Sequence, residues 1–453
     1  VRYLASFRLS RLAAVLCILG CDVGGGLLDP QNPGVIDPSA VNSPASADAL
    51  RIGAFGQLKN ATAGGAAVWM LTGLLTDEWK TSDVGSTLIE TDQRSIQTSN
   101  GSVQAAYNAL QQSRGYARTA IDKLKQFTPD SAWNIGQMYF TLGFEEMMLA
   151  EDFCNGVPMT YTVGGIPQYG PPLTGAAIYA IALAHMDSAV TLTTATNAAA
   201  IATHRAALIG KARVLVDQGS YAAAAALVPA SAVPTSYQYL LTFDQTSGDN
   251  QIWNQNNSLG SSTVGDSADA AGVVGNALPF ASAKDPRVPV AAGAVSAKDA
   301  TTPLIVQQIW KNRNDPVPLV SGIDARLIEA ESALNANDFA GMTATLNALR
   351  ATSQTIGTYV VGAMPALTAI PTTRDAAVTL FFREKAFWSF GRGQRLPDSR
   401  RMVRQYGRPQ SQVFPTGRFF KSSSDTYKSD VNLPVPDGEL TNPNFKGCID
   451  RSA

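Results

Sequence analysis

Apolar positions recur at helical spacing along much of this chain. Val103, Tyr107, Leu110, Ala117, Ile121 and Leu124 fall on one face with Gln, Arg and Lys opposite, which predicts an amphipathic helix weakened in its middle by Gly115. From Trp133 to Cys154 the apolar residues surround the helix instead, as in Met138–Phe144 and Met147–Ala150. A helix that is apolar all round belongs in a core. Asn155-Gly-Val-Pro158 predicts its end, with Gly able to cap and Pro unable to continue. Two more stretches predict helix pairs. One is His204–Val216, a turn at Gln218–Tyr221, and Ala222–Val228. The other is Ile323–Leu334, a turn at Asn335–Phe339, and a helix with Phe339, Met342, Leu346 and Leu349 on one face.

The Gly-x-Tyr turn followed by small Ala residues is like a tetratricopeptide unit, in which small residues let two helices pack closely. The two pairs are separated by about 100 residues, so the pattern predicts a mainly α scaffold with insertions and not a regular solenoid. Between about Pro229 and Pro318 the texture changes to Gly, Ser, Asn, Asp and Pro, interrupted by Tyr237–Phe243 and Leu304–Trp310. This predicts a loop-rich region carrying short strands or helices, and loops on a rigid scaffold are where binding residues tend to sit. Pro365–Pro371 is expected to link to a helix over Thr373–Gly391.

The N-terminus adds a location. Arg2, Arg8 and Arg11 precede the short apolar run Leu12–Gly20, which is too short for a membrane-spanning helix of about 20 residues and has the order of a secretory signal. Ile18-Leu19-Gly20-Cys21 resembles the bacterial lipobox, which implies cleavage before Cys21 and attachment of lipid to its thiol. An ordinary signal peptide cleaved elsewhere is the alternative. A stable anchor needs more than one acyl chain, and bacterial lipoproteins carry two or three on that cysteine. The expected organisation is a signal peptide at 1–20, a flexible tether at 21–44 rich in Gly and Pro, and one helical domain at 45–453.

Removing residues 1–20 leaves 433 residues with 32 positive and 36 negative charges, a balance that does not suggest bulk nucleic-acid binding. No other apolar run approaches membrane-spanning length. With Cys21 acylated and Cys17 removed, Cys154 and Cys448 remain. In an exported protein they are candidates for a disulfide, the alternative being two free buried thiols.

Catalytic chemistry is hard to assemble from this sequence. His185 and His204 are the only histidines, and both lie in helical patterns with no nucleophile motif or metal-ligand spacing nearby. They are expected to be structural, and no catalytic residue, metal or cofactor is expected. Glu145-Glu146 points in two directions on a helix and is read as a polar edge. Arg383–Lys421 holds ten Lys or Arg against Glu384 and Asp398. A solvated face with internal pairs such as Arg395 with Asp398 accounts for it, and a docking surface is the alternative.

Several segments of the C-terminal third share one resemblance. Ala325–Leu334, Leu346–Arg350, Arg383–Trp388 with Gly393-Gln-Arg395, Asp398–Arg401, and the closing Leu433-Pro-Val-Pro436 with Glu439 and Asn442-Pro-Asn444, together with Asp285-Pro-Arg287, resemble the SusD/RagB family of surface lipoproteins. The resemblance implies a helical, tetratricopeptide-like protein on the outer face of the outer membrane, with a SusC-like TonB-dependent transporter as partner. It also implies capture of a nutrient polymer fragment, with oligosaccharide the leading class. A structural lipoprotein that binds envelope proteins through its helix pairs is the alternative.

Sugar capture calls for an aromatic face beneath the ring and polar groups reaching its hydroxyls. Trp253, in Asp249–Asn257, offers both together with Asn254 and Asn256. Trp79, beside Asp77, Glu78 and Lys80, is the second choice. For either tryptophan, packing into the core is the competing reading.

Overall fold

The computed structural model describes residues 41–453 except 164, 165 and 195. Cys21, the expected signal peptide and tether residues 22–40 lie outside the described residues. The last tether positions do not. The Ser43 amide donates to Ser46 Oγ at 3.0 Å and the Ser46 amide to Ser43 Oγ at 3.3 Å, a capping box that starts α1 (Pro44–Ala61). Pro44 fits the first turn because its missing N–H has no helical partner there anyway. The helical body thus opens ahead of residue 45, and Asn42–Ala453 form one unit.

After the short helices α2 (Val68–Leu74) and α3 (Ser86–Asp92), Asn100 caps α4 (Gly101–Phe127) by accepting from the amides of Ser102 and Val103. The six residues of its predicted apolar face are all buried. Gly115 sits on the exposed side with open space around it. Its cost of about 1 kcal/mol is small beside roughly 1.5–3 kcal/mol for each buried leucine, and the helix runs through unbroken.

Helix α5 (Ala132–Asp152) is the core helix its sequence predicts, buried from Ile135 to Asp152 apart from Tyr139. Against it lies α6 (Gly175–Leu192). Gly136 and Gly143 make the close approach possible, since a Cβ on Gly143 would stand 3.1 Å from the Ala182 carbonyl and one on Gly136 only 2.6 Å from Thr193 Cγ2. Contrary to the reading of the sequence, α6 is long and apolar enough to cross a membrane, alone among the described residues. Its contacts show a scaffold helix: Ile178, Ala182, Met186 and Ala189 are buried, and Asp187 pairs with Lys211 at 2.6 Å.

The two predicted helix pairs are α7 (Ala198–Asp217) with α8 (Tyr221–Leu227), and α9 (Gly322–Asn335) with α10 (Phe339–Ala351). Helix α7 begins six residues before its predicted start because Asn197 caps it through the Ala200 amide. Though distant in sequence, the pairs meet: α9 packs on α8 and α7, and Arg326 of α9 donates to the Val228 carbonyl just beyond α8. Gln238–Leu241 and Val317–Ser321 form an antiparallel ribbon with Leu241 opposite Val317 and Gln238 opposite Ser321. The ribbon closes the base of the loop-rich region, whose remaining strands are short two-stranded pairings. Residues 365–371 form no helix or strand, and Thr373 then caps α11 (Arg374–Trp388), followed by α12 (Arg395–Arg404).

Candidate functional site

Buried charge joins the scaffold to the loop region. Arg395 grips Asp77 with two bonds of 2.6 and 3.0 Å, and the same carboxylate accepts the Leu278 amide from the loop region. Asp398 pairs with Lys385 at 2.7 Å and Arg401 at 2.6 Å, not with Arg395 as its sequence proximity suggests. Arg401 also holds Glu331, and Arg392 holds Asp324. Much of the positive stretch 383–421 is therefore internal. Burial alone would raise the Asp398 carboxyl, yet Lys385 and Arg401 hold it below its ordinary value. The cavity among Glu151, Arg213, Asp217, Lys385 and Arg401 is only about 20 Å³, room for a water and no more.

Glu145 and Glu146 belong to the same pattern, and the polar-edge reading fails. Both are fully buried: Glu145 accepts from Ser113, while Glu146 faces Arg114 at 3.4 Å and His185 Nδ1 at 2.6 Å. Burial pushes the Glu145 carboxyl well above the ordinary range. His204 Nδ1 lies 3.0 Å from Thr193 Oγ1, so both histidines have structural partners. Among the described residues no group of three or more His, Cys, Asp or Glu is placed to hold a metal.

Trp79 is a core residue. It lies in the strand Trp79–Thr81, paired with Ser262–Val264, and its ring, with no exposed surface, packs 4.9 Å from that of Phe390. A ring covered in this way cannot lie beneath a sugar. Its polar neighbours are engaged as well. Asp77 holds Arg395, Lys80 pairs with Asp269, and Glu78 accepts the Gly391 amide at 3.1 Å while burial pushes its pKa up to about 8.

The Asp249–Asn257 segment is built differently. Asn250 accepts from the amides of Ile252 and Trp253 and donates to the Asp315 carbonyl. This caps one helical turn, Gln251–Trp253, which passes into a π-turn at Asn254–Ser258, a form frequent at functional sites. Ile252 is the buried anchor, whereas Trp253 and Asn254 are half-buried. Gln251 Oε1 accepts from both Asn254 (3.0 Å) and Gln255 (3.2 Å), ordering a cluster of amides on the turn that carries Trp253. Asn256 does not join it. Its side chain is fully buried, donating to the carbonyls of Ser262 and Ile305 and accepting the Gln307 amide. Of the predicted set Trp253, Asn254, Asn256 and Trp79, only Trp253 and Asn254 keep exposed surface, as do Gln251 and Gln255 on the same turn.

A cleft absent from the sequence reading lies between the hairpin Ala268–Val273 and Arg418–Ser423. Its signal is the run Gly417-Arg-Phe-Phe-Lys421, where cations flank aromatics. At the far end of α5, Cys154 and Cys448 form a disulfide, with Cα atoms 6.0 Å apart. It fastens the closing segment, whose Leu433 carbonyl accepts the Cys154 amide at 2.9 Å.

No family model matches this chain, and no curated protein sequence does. Solved structures do match. A SusD superfamily protein from Bacteroides vulgatus ATCC 8482 is 18% identical, with 90% of this chain and 99% of that one covered and a TM-score of 0.60. Another SusD superfamily protein, from Bacteroides fragilis, is 16% identical over 89% and 99%, with a TM-score of 0.64. A SusD-like carbohydrate binding protein from Bacteroides fragilis NCTC 9343 is 13% identical over 90% and 99%, also at 0.64. The chain therefore has the fold of the SusD superfamily.

Proposed function

We propose that this SusD-fold chain is a non-catalytic lipoprotein that captures an oligosaccharide and delivers it to a SusC-like TonB-dependent transporter. In this reading residues 1–20 are a signal peptide, lipid on Cys21 anchors the protein in the outer membrane facing the cell exterior, and the loop region meets the glycan. The observation that carries it is the half-buried Trp253 on the same short turn of the loop region as the amide cluster Gln251, Asn254 and Gln255. An indole face can shed water onto a sugar ring while amides take its hydroxyls. A solved neighbour of the same fold is described as carbohydrate binding, which supports the ligand class.

A glycan array probed with the purified chain tests capture. Binding should be lost in Trp253→Ala, and binding unaltered in that variant would remove Trp253 from the site. Absence of any glycan ligand, together with failure to co-purify with a barrel transporter, would sink the proposal. Mass analysis of the mature N-terminus tests the anchor, with acylated Cys21 expected. The structural-lipoprotein alternative draws on the paired strands Tyr161–Val163 and Ile166–Gln168, where Ile166 is 65% exposed. Protein partners found without any glycan would favour it.

A further inference from the structure

The cleft between the Ala268–Val273 hairpin and Arg418–Ser423 carries a charge that no described residue neutralises. Its volume of about 240 Å³ is below the roughly 300 Å³ of clefts that enclose drug-sized molecules. It suits one ring or one acidic group, not a length of polymer. The small side chains of Ala270 and Ala271 at the hairpin tip form one wall and leave it open. Phe420, half-buried, gives the opposite wall an apolar surface.

Two cations flank that ring, and a third lines the same cleft. Lys80 and Lys421 each place an ammonium 5.5 Å from its centroid. Both already have partners, Asp269 for Lys80 and Asp299 for Lys421. Arg418 differs. It is exposed, lines the cleft, and has no ion pair or side-chain hydrogen bond to any described residue. No carboxylate lines the cleft among the described residues, and Ser422 and Ser423 complete its lining. A guanidinium is a planar fork of donors that fits a carboxylate or sulfate with two parallel bonds.

Resting on the carbohydrate reading above, we propose that this cleft is a subsite for an acidic sugar unit. The carboxylate or sulfate lies on Arg418, the ring against Phe420, and a hydroxyl on Ser423. The strand Trp79–Thr81 connects the two ends of the surface: Lys80 stands beside Phe420, and the paired strand Ser262–Val264 is held by Asn256, three residues beyond Trp253.

Matched oligosaccharide pairs, titrated calorimetrically into the full chain, test the proposal. One pair is an oligogalacturonate and its methyl ester; the other is a sulfated oligosaccharide and its desulfated form. The acidic member of at least one pair should bind about tenfold more tightly at low salt, with the advantage shrinking as salt rises. The pair that shows it identifies the acidic group. Arg418→Gln should abolish the advantage, bringing the acidic member's affinity to that of its neutral partner in the same variant, and should leave the fold intact because no described residue bonds or pairs with that side chain. Equal affinity within both pairs, or an advantage that survives Arg418→Gln, overturns the subsite. If neutral glycans bind and acidic ones gain nothing, the subsite alone fails and capture stands. If neither these pairs nor the glycan array yields a ligand, both fail.

Discussion

Asp77–Thr81 and Asp249–Asn257 look alike as sequence, each a tryptophan among carboxylates, amides or a lysine, and the fold treats them in opposite ways. In the first, each charged neighbour of Trp79 is drawn to a partner far along the chain: Asp77 to Arg395, Glu78 to Gly391, Lys80 to Asp269. Those contacts pull the segment inward and bury the ring. In the second, Gln251, Asn254 and Gln255 satisfy one another locally, and Trp253 keeps part of its surface in solvent. Polar neighbours drawn to buried, distant partners carry their tryptophan inward, whereas those satisfied on their own turn leave it partly in solvent.

The most severe test of that contrast is Trp79→Ala. It should cost about 3–5 kcal/mol of stability, the usual range for truncating a buried large aromatic, measured by denaturant unfolding. Trp253→Ala should cost under about 1 kcal/mol by the same assay, as expected away from the core. Equal losses would collapse the distinction. Asn256→Ala comes next, at about 2–3 kcal/mol, because it strands buried backbone groups of three residues. Asn254→Ala should leave stability unchanged, so a loss matching that of Asn256→Ala would put Asn254 in the structure and not in the site.

Glu78 sharpens the comparison through pH. Burial pushes its pKa from 4.5 up to about 8, so between those values the unfolded chain has released a proton that the folded chain keeps. Its contribution to stability is complete below about 4.5 and is lost as pH rises towards about 8. Asp92 and Asp152, both pushed up to about 7 chiefly by burial, act with the same sign. Glu78→Gln should flatten the decline. Between pH 5 and pH 8 the variant should lose less stability than the parent, by about 3 kcal/mol, and parallel curves would show that Glu78 does not titrate there.

The helical frame was legible because its signal is local. The 3.6-residue spacing of Val103 to Leu124, the all-round apolarity after Trp133 and the turns at Gly219 and Asn337 each lie within one element. Cysteine counting likewise reduced the disulfide candidates to Cys154 and Cys448. Glu145, Glu146 and Asp398 misled because the groups that decide their fate lie on other elements: Ser113 and Arg114 on α4, His185 on α6, Lys385 on α11. Nothing within a few residues of a carboxylate reveals such a partner. The Arg418 cleft was hidden for the same reason, since its walls are some 150 residues apart in sequence.

By itself the sequence determined that this protein is a mainly α scaffold with a loop-rich insertion, because periodicity and turn chemistry act over a few residues. Only the tertiary structure decided which polar residues are exposed. It placed Trp79 and Asn256 inside, left Trp253 and Arg418 at the surface, and turned much of a basic stretch into buried ion pairs. The physical reason is that a charge or amide can be buried when a partner meets it, and those partners arrive from helices and strands that only folding brings together.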